Sequence, residues 1–332
     1  MNKVFFSIII PLYNKAPYVR KALESVLAQT YPDYECIVMD DGSTDNSQII
    51  VFNWLSKYRT DCSGRFHLLS QPNQGVAMAR NNAAKAAKGE YLCFLDADDW
   101  WEPTFLQEMA QLIHDYPDAG LYFTNYIYYK PGKTRIALHL PSGYINYPRA
   151  YYESKIMLAT SSSSSMLKRI FEEMGGFPIG VKLGEDFLLW AQTAIHYPVA
   201  YSDKPVAFFN NDVPPSMRAT RRMYPPQCHM LWHLDSIKTP LRNGINSHNS
   251  QIFLSDWECL FDMLRVNGLL DYWLSPQYHD MAKAELSKVD WSRQPRSVIR
   301  TYRTPLCLLR AKRKIMQMGS FFKQKLVKLA EK

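Results

Sequence analysis

Short apolar runs alternate with helical periods through the first 130 residues, and no other feature narrows the possible folds as far. Residues 5–12 (FFSIIIPL), 36–39 (CIVM), 66–69 (FHLL), 91–95 (YLCFL) and 121–124 (LYFT) read as strands buried on both faces. Between them, residues 18–29 put Val19, Ala22, Leu23, Val26 and Leu27 on one stripe, with Pro17 suited to the first helical turn. Residues 74–88 are rich in alanine, and Gly89 reads as a C-terminal cap. The alternation predicts an α/β fold, Rossmann-like, with a mostly parallel sheet flanked by helices. Ligands of such sheets bind beyond the carboxyl ends of the strands. The polar clusters fall there: Tyr13-Asn14 after the first strand, Asp40-Asp41 after the second, and Asp96–Asp99 after the fourth.

With 332 residues, 47% of them hydrophobic, the chain can bury a sizeable core. No stretch reaches the roughly 18–20 apolar residues of a membrane span. The N-terminus, MNKVFFSIIIPLYNK, lacks the small-residue cleavage site of a signal peptide and reads as a first strand. Six scattered cysteines form no CxxC, and Cys36 and Cys93 fall in apolar strands, so buried free thiols in a reducing cytoplasm are expected. Beyond residue 126 the pattern loosens into mixed strands. A serine run at 161–165 reads as a strand of small side chains, and Gly184-Glu185-Asp186 opens a helix over 187–196. After about 220, Phe253, Trp257, Leu260, Phe261 and Leu264 recur at helical spacing.

The stretch FLDADDWW crowds Asp96, Asp98 and Asp99 at a strand end. Carboxylates so placed repel one another and are costly to desolvate. Hard oxygen ligands suit Mg²⁺ or Mn²⁺, and magnesium completes its shell with substrate phosphates and water. The competing reading has Asp98 and Asp99 capping the next helix, with Pro103 early in it. In Asp40-Asp41-Gly42-Ser43-Thr44-Asp45 the last three residues suit helix capping, which leaves two acids at the strand tip. A carboxylate there can accept a hydrogen bond from a pyrimidine ring N–H. Arg80 could neutralise a diphosphate, whereas Lys85 suits a solvated surface.

FSIIIPLYNKAPYVRKALESVLAQTY, VMDDGSTD, NQGVAMARNNAAKAAKGEYLCFLDADD, GGF and GED follow one another over residues 4–212 in an order and spacing that resemble the family 2 glycosyltransferases. The resemblance implies the fold known as GT-A, a nucleotide-sugar donor and inverting transfer. It also implies that Pro11, Tyr13 and Asp41 line the base pocket, with Asn14 beside them. Asp96 would lie near the ribose, Asp98 would hold the metal (Mn²⁺ or Mg²⁺) on the diphosphate, and Asp186 would be the catalytic base, with Glu185 as the alternative. Trp100 and Trp101, next to the metal cluster, join the donor site as candidates. Where relatives carry basic or His residues near 206–212 this chain has Phe208-Phe209-Asn210-Asn211-Asp212, and Arg218 is the candidate substitute.

The expected organisation is a catalytic domain over 1–219, a helical appendage over 220–304 and a basic amphipathic helix over 305–332. The net charge of +8 is concentrated: residues 293–332 hold twelve Lys or Arg and one acid, leaving the remainder at −3. Leu308, Ile315, Met318, Phe322, Leu326 and Leu329 lie near one helical face with cations elsewhere, a pattern suited to an anionic membrane surface. The alternative is packing on its own domain or on a second subunit of a homo-oligomer. The expected function is UDP-sugar-dependent transfer to a saccharide or lipid-linked oligosaccharide in surface polysaccharide or glycolipid synthesis, cytoplasmic or peripheral on the inner face of the membrane. A sugar nucleotidyltransferase would need a Gly-rich basic loop where Pro-Leu-Tyr-Asn stands. Confinement of the positive charge to the tail argues against a nucleic-acid-binding protein.

Overall fold

The computed structural model describes residues 5–62, 64–218, 222–237 and 254–313. It divides into two compact units at Trp257 and Glu258. The first unit opens with β1 (Phe6–Leu12), α1 (Val19–Leu27), β2 (Tyr34–Asp40), α2 (Ser47–Lys57), α3 (Arg59–Cys62), β3 (Phe66–Ser70), α4 (Val76–Ala86) and β4 (Tyr91–Phe94). All four strands are parallel, in the order β3-β2-β1-β4. Every residue of β1, β2 and β4 is buried, as expected of strands covered on both faces. Because β1 pairs with β2 on one side and β4 on the other, Leu12 stands opposite Asp40 and Ile9 opposite Phe94. The polar segments that follow these three strands are therefore brought to one edge, where the strand order reverses.

The chain continues through β5 (Trp100–Trp101), α5 (Phe105–Asp115), β6 (Leu121–Tyr129), β7 (Arg135–Ile136), β8 (Gly143–Ile145), α6 (Tyr147–Ser154), β9 (Ser164–Leu167), α7 (Lys168–Glu173), α8 (Glu185–His196) and β10 (Val199–Asn210). The sheet extends as β4-β9-β6-β10-β5. Here β9 is antiparallel to both β4 and β6, while β10 runs parallel to β6. The serine run enters β9 through a single 3₁₀ turn at Ser161–Ser163, and all five serines are buried.

Local readings differ from the sequence expectation in three places. Helix α1 begins at Val19 with Tyr18 as its cap residue, so Pro17 lies just outside it. Helix α4 ends at Ala86 and leaves through an extended Ala87, so Gly89 is not its cap. Glycine is needed at 89 because a Cβ there would lie 2.5 Å from the Ser7 backbone nitrogen. Neither Asp98 nor Asp99 caps a helix, since β5 follows them directly and α5 starts only at Phe105.

The second unit is helical. Helix Leu254–Gly268 runs into it, followed by Leu270–Leu274, His279–Leu286 and Arg296–Arg303. Its fully buried Arg265 bonds Glu285 at 3.2 Å, and the Tyr302 hydroxyl donates to the Val266 carbonyl at 2.7 Å. Arg310 donates to the Leu274 carbonyl and Arg313 pairs with Asp271. Most of the expected basic helix, from residue 314 onward, lies outside the described residues. Among those described, no helix is long and apolar enough to cross a membrane. All six cysteines are free, with Cys36, Cys62 and Cys93 buried.

Candidate functional site

Two loops are stitched together beyond β1 and β2. Asn14 adopts a left-handed backbone (φ 52°), a conformation its short amide tolerates. Its Oδ1 accepts from the amides of Thr44 (2.8 Å) and Asp45 (3.2 Å), and its own amide donates to Ser43 Oγ at 3.1 Å. Asn14 therefore ties the loop after β1 to the loop after β2. Tyr13, one residue earlier, is 45% exposed, while Pro11 is buried within β1. The buried Asp41 carboxylate accepts from the Gln74 and Gly75 amides and from Gln71 Nε2, each at 2.8 Å. An acid is favoured at that position by the start of α4. Gly42 has φ 69°, and a Cβ there would lie 2.9 Å from the Asn73 nitrogen, so no larger residue fits the turn.

The acids after β4 have three separate environments. Asp99 is buried, accepting from Ser162 Oγ at 2.5 Å and from the Asn210 amide at 2.8 Å. Burial, with Asp98 and Asp96 nearby, pushes its pKa well above the usual carboxylate range. Asp96 keeps a third of its side chain exposed and pairs with Arg80 Nη2 at 2.6 Å. Asp98 is 19% exposed, and its Oδ2 meets the Lys15 ammonium at 2.5 Å. Burial raises its pKa while Lys15 opposes the shift. Ser162 also accepts the Asp96 amide at 3.1 Å, so this one serine braces both Asp96 and Asp99.

Arg80 joins this cluster to the acids that open α8. Its Nη1 bonds Glu185 at 2.8 Å, its Nη2 bonds Asp96, and its guanidinium lies over the Phe177 ring. Buried between two carboxylates, Arg80 is committed to them and is not a free counter-ion for a diphosphate. Lys85 is exposed, as expected of a solvated charge. Gly184, with φ 81°, turns the chain into α8. Glu185 is buried and ion-paired, whereas Asp186 is half-buried and has no ion-pair partner among the described residues. One Asp186 oxygen accepts the Phe187 amide at 2.8 Å. A helix N-terminus alone favours an ionised carboxylate. Burial and the Glu185 charge outweigh it, raising the Asp186 pKa to about 7. Beside Asp186 lie Tyr147 and Tyr151, both held protonated by burial and by that carboxylate, and Tyr151 packs edge-on against Phe187. The Tyr147 hydroxyl is buried with no hydrogen-bond partner among the described residues.

The two tryptophans belong to the packing, contrary to the sequence expectation. Trp101 stacks on Phe105 and donates its Nε1–H to the Ser162 carbonyl at 2.6 Å. Trp100 stacks on Phe208 and is covered by the Lys21 ammonium, 3.0 Å from the ring centroid. Arg218 closes its own turn through the Val213 carbonyl and Asn211 Oδ1 and reaches none of the acids. Sequence reasoning missed Lys15, Ser162 and Asn210. Lys15 directly follows Tyr13-Asn14, and the other two carried no signal separating them from core residues.

The model of the family described as "Glycosyl transferase family 2" matches residues 7–175. Glycosyltransferase GlyA of Streptococcus pneumoniae is 32% identical over 193 residues, which cover 54% of this chain and 26% of that protein. The chain spans well under two thirds of such relatives, covering 34% of one and 41% of another. Among solved structures, Staphylococcus aureus TarS 1–349 in complex with UDP-GlcNAc has a TM-score of 0.62 at 20% identity, over 90% of this chain and 91% of that one. The Pyrobaculum calidifontis mannosyltransferase PcManGT, in complex with GDP-Man and Mn²⁺, has a TM-score of 0.58 at 20% identity, over 99% and 87%. The fold is thus the GT-A fold of these glycosyltransferases, and with its sheet edge of acids matched from β1 through α7 the chain belongs to glycosyl transferase family 2.

Proposed function

We propose that the protein is a metal-dependent inverting glycosyltransferase that moves a sugar from a nucleoside-diphosphate sugar, UDP-linked, to a hydroxyl of a saccharide or glycolipid acceptor. Surface polysaccharide assembly is the proposed setting. The observation that carries the reading is the place of Asp186: in the first turn of α8, beside the Arg80-linked acids Glu185 and Asp96, with no ion-pair partner among the described residues and a pKa raised to about 7 by burial and by Glu185. A base tuned close to ambient pH is effective at taking a proton during attack.

In this reading Tyr13 offers its exposed ring to the nucleotide base, and Asp41, which already accepts three hydrogen bonds, has one of about four acceptor positions left for a ring N–H. Asp96, steered by Arg80, faces the ribose. Asp186 accepts the proton of the acceptor hydroxyl as its oxygen attacks the anomeric carbon from the face opposite the diphosphate. One displacement inverts the anomeric configuration. Glu185, tied to Arg80, fixes the helix start and raises the basicity of Asp186.

The residues present fit a divalent cation held together with a donor. Among the described residues no group of three or more His, Cys, Asp or Glu forms a protein-only cage. Asp98 meets Lys15 through one carboxylate oxygen, Oδ2, and a single carboxylate plus phosphate oxygens is a donor set that magnesium and manganese accept. Asp98 would hold the cation, which when bound offsets the charge of the departing diphosphate. The test is slow donor hydrolysis screened over UDP- and GDP-sugars with and without Mn²⁺. One nucleotide sugar should be hydrolysed only with metal, and Asp98→Ala should lose that hydrolysis while keeping its fold. Metal-independent hydrolysis, or an Asp98→Ala protein with near-normal turnover, overturns the metal assignment.

The basic tail is proposed as a loose anchor to an anionic membrane surface. The exposed Leu308 and the cations that follow it support this, whereas Arg310 and Arg313 tie the tail's first turns back to the second unit.

A further inference from the structure

The ion pair at Asp98 carries a consequence for how donor and cation arrive. Lys15 is not a wandering surface lysine. Its backbone amide donates to Ser47 Oγ at 2.8 Å, and the preceding Asn14 is fixed by hydrogen bonds to Ser43, Thr44 and Asp45. From this fixed point its ammonium reaches Asp98 Oδ2 at 2.5 Å and the Met217 carbonyl at 3.2 Å, with only 17% of the side chain exposed. Two of its three donors are thereby used, and the third has no partner among the described residues. A divalent cation on Asp98 would stand a few ångströms from this ammonium, and like charges at that distance repel strongly where water is partly excluded. A diphosphate is the one ligand of the proposed site able to draw the ammonium away.

We propose that Lys15 is a resident counter-ion of the donor site: it neutralises Asp98 in the free protein, keeps divalent cations off that carboxylate, and passes to the diphosphate when a nucleotide binds. Cation and nucleotide then bind as a pair, each raising the affinity for the other, as linkage requires. This rests on the donor-site reading given under the proposed function.

The test measures two affinities in Lys15→Met, which keeps length and removes charge. Mn²⁺ binding is followed by the electron paramagnetic resonance of free Mn²⁺ without nucleotide, and UDP and GDP binding by calorimetry in EDTA. Removing the competing charge should tighten Mn²⁺ by about ten-fold, and removing the phosphate partner should weaken the nucleotide by about ten-fold, each the effect of one charge interaction in a partly buried site. Lys15→Arg should stay near the wild type in both. Adding Asp98→Ala to Lys15→Met should erase the Mn²⁺ gain, which locates it. Should Lys15→Met not fold, Lys15→Gln gives the same two readings. Unchanged affinities overturn the proposal, and so does weakening of both ligands together, which marks a merely structural lysine. If neither wild type nor variant binds Mn²⁺ or either nucleotide, the donor-site reading falls and the proposal falls with it.

Discussion

At the scale of single residues, the carboxylates that look alike in sequence are distinguished by their partners. Asp41 holds the start of α4, Asp99 holds Ser162 and Asn210, Asp96 holds Arg80, and Asp186 holds an amide of its own helix. A one-dimensional string shows the acids but not these partners, which come from segments up to 111 residues away. That is why Trp100 and Trp101 read as site residues and Lys15 did not. The elevated Asp186 pKa makes two pH predictions. As a base it must be deprotonated, so turnover should fall below about pH 7 and level off above it. For stability the sign is opposite to that of a salt-bridged acid. Between the unfolded value of about 4 and the folded value of about 7, the native state binds more protons than the unfolded state. Stability should therefore decline as pH rises through that window. Asp186→Asn should melt higher than the wild type at pH 8, with the difference shrinking toward pH 4. An Asp186→Asn protein that melts lower at pH 8 would mean the carboxylate is not strained by burial.

At the scale of elements, the parallel half of the sheet was legible because buried strands and amphipathic helices differ in period, and both patterns are strong here. Strands β1 to β4 and helices α1, α4 and α8 fall within a few residues of their sequence positions. The second half was not legible in the same way. The serine run was read as a strand, but its first three residues form a 3₁₀ turn and β9 starts only at Ser164, while β5 is a two-residue strand whose existence depends on pairing Trp100 and Trp101 with Phe208 and Ala207. Capping was misjudged at Gly89 because a glycine demanded by close approach looks identical to one demanded by a left-handed cap. That difference is testable. Gly89→Ala places a methyl against the Ser7 backbone, which cannot swing aside, and should cost about 1–3 kcal/mol in denaturant unfolding. A cost below a few tenths would mean that β1 and the start of β4 tolerate separation at this point.

At the scale of the whole molecule, charge is divided between a slightly acidic body and a tail with twelve cations beyond residue 292. Each Lys or Arg near an anionic surface contributes about 1 kcal/mol, and the attraction fades over about 8 Å at physiological salt. Deleting residues 314–332 leaves Arg310 and Arg313 in place on the second unit. The shortened protein should melt at the same temperature and hydrolyse its donor, yet no longer sediment with vesicles containing phosphatidylserine at low salt. A drop in melting temperature with unchanged vesicle binding would instead assign the tail to packing. The central claim, that Asp186 takes the acceptor's proton, is tested most directly by steady-state transfer with Asp186→Asn and Glu185→Gln side by side, donor affinity being measured on the same samples. Asp186→Asn should lower kcat toward the upper end of the roughly 10²–10⁴-fold associated with a general base, abolish the pH dependence near 7, and leave donor affinity unchanged. If Glu185→Gln is instead the variant that loses turnover with its fold intact, while Asp186→Asn retains it, the base is not Asp186.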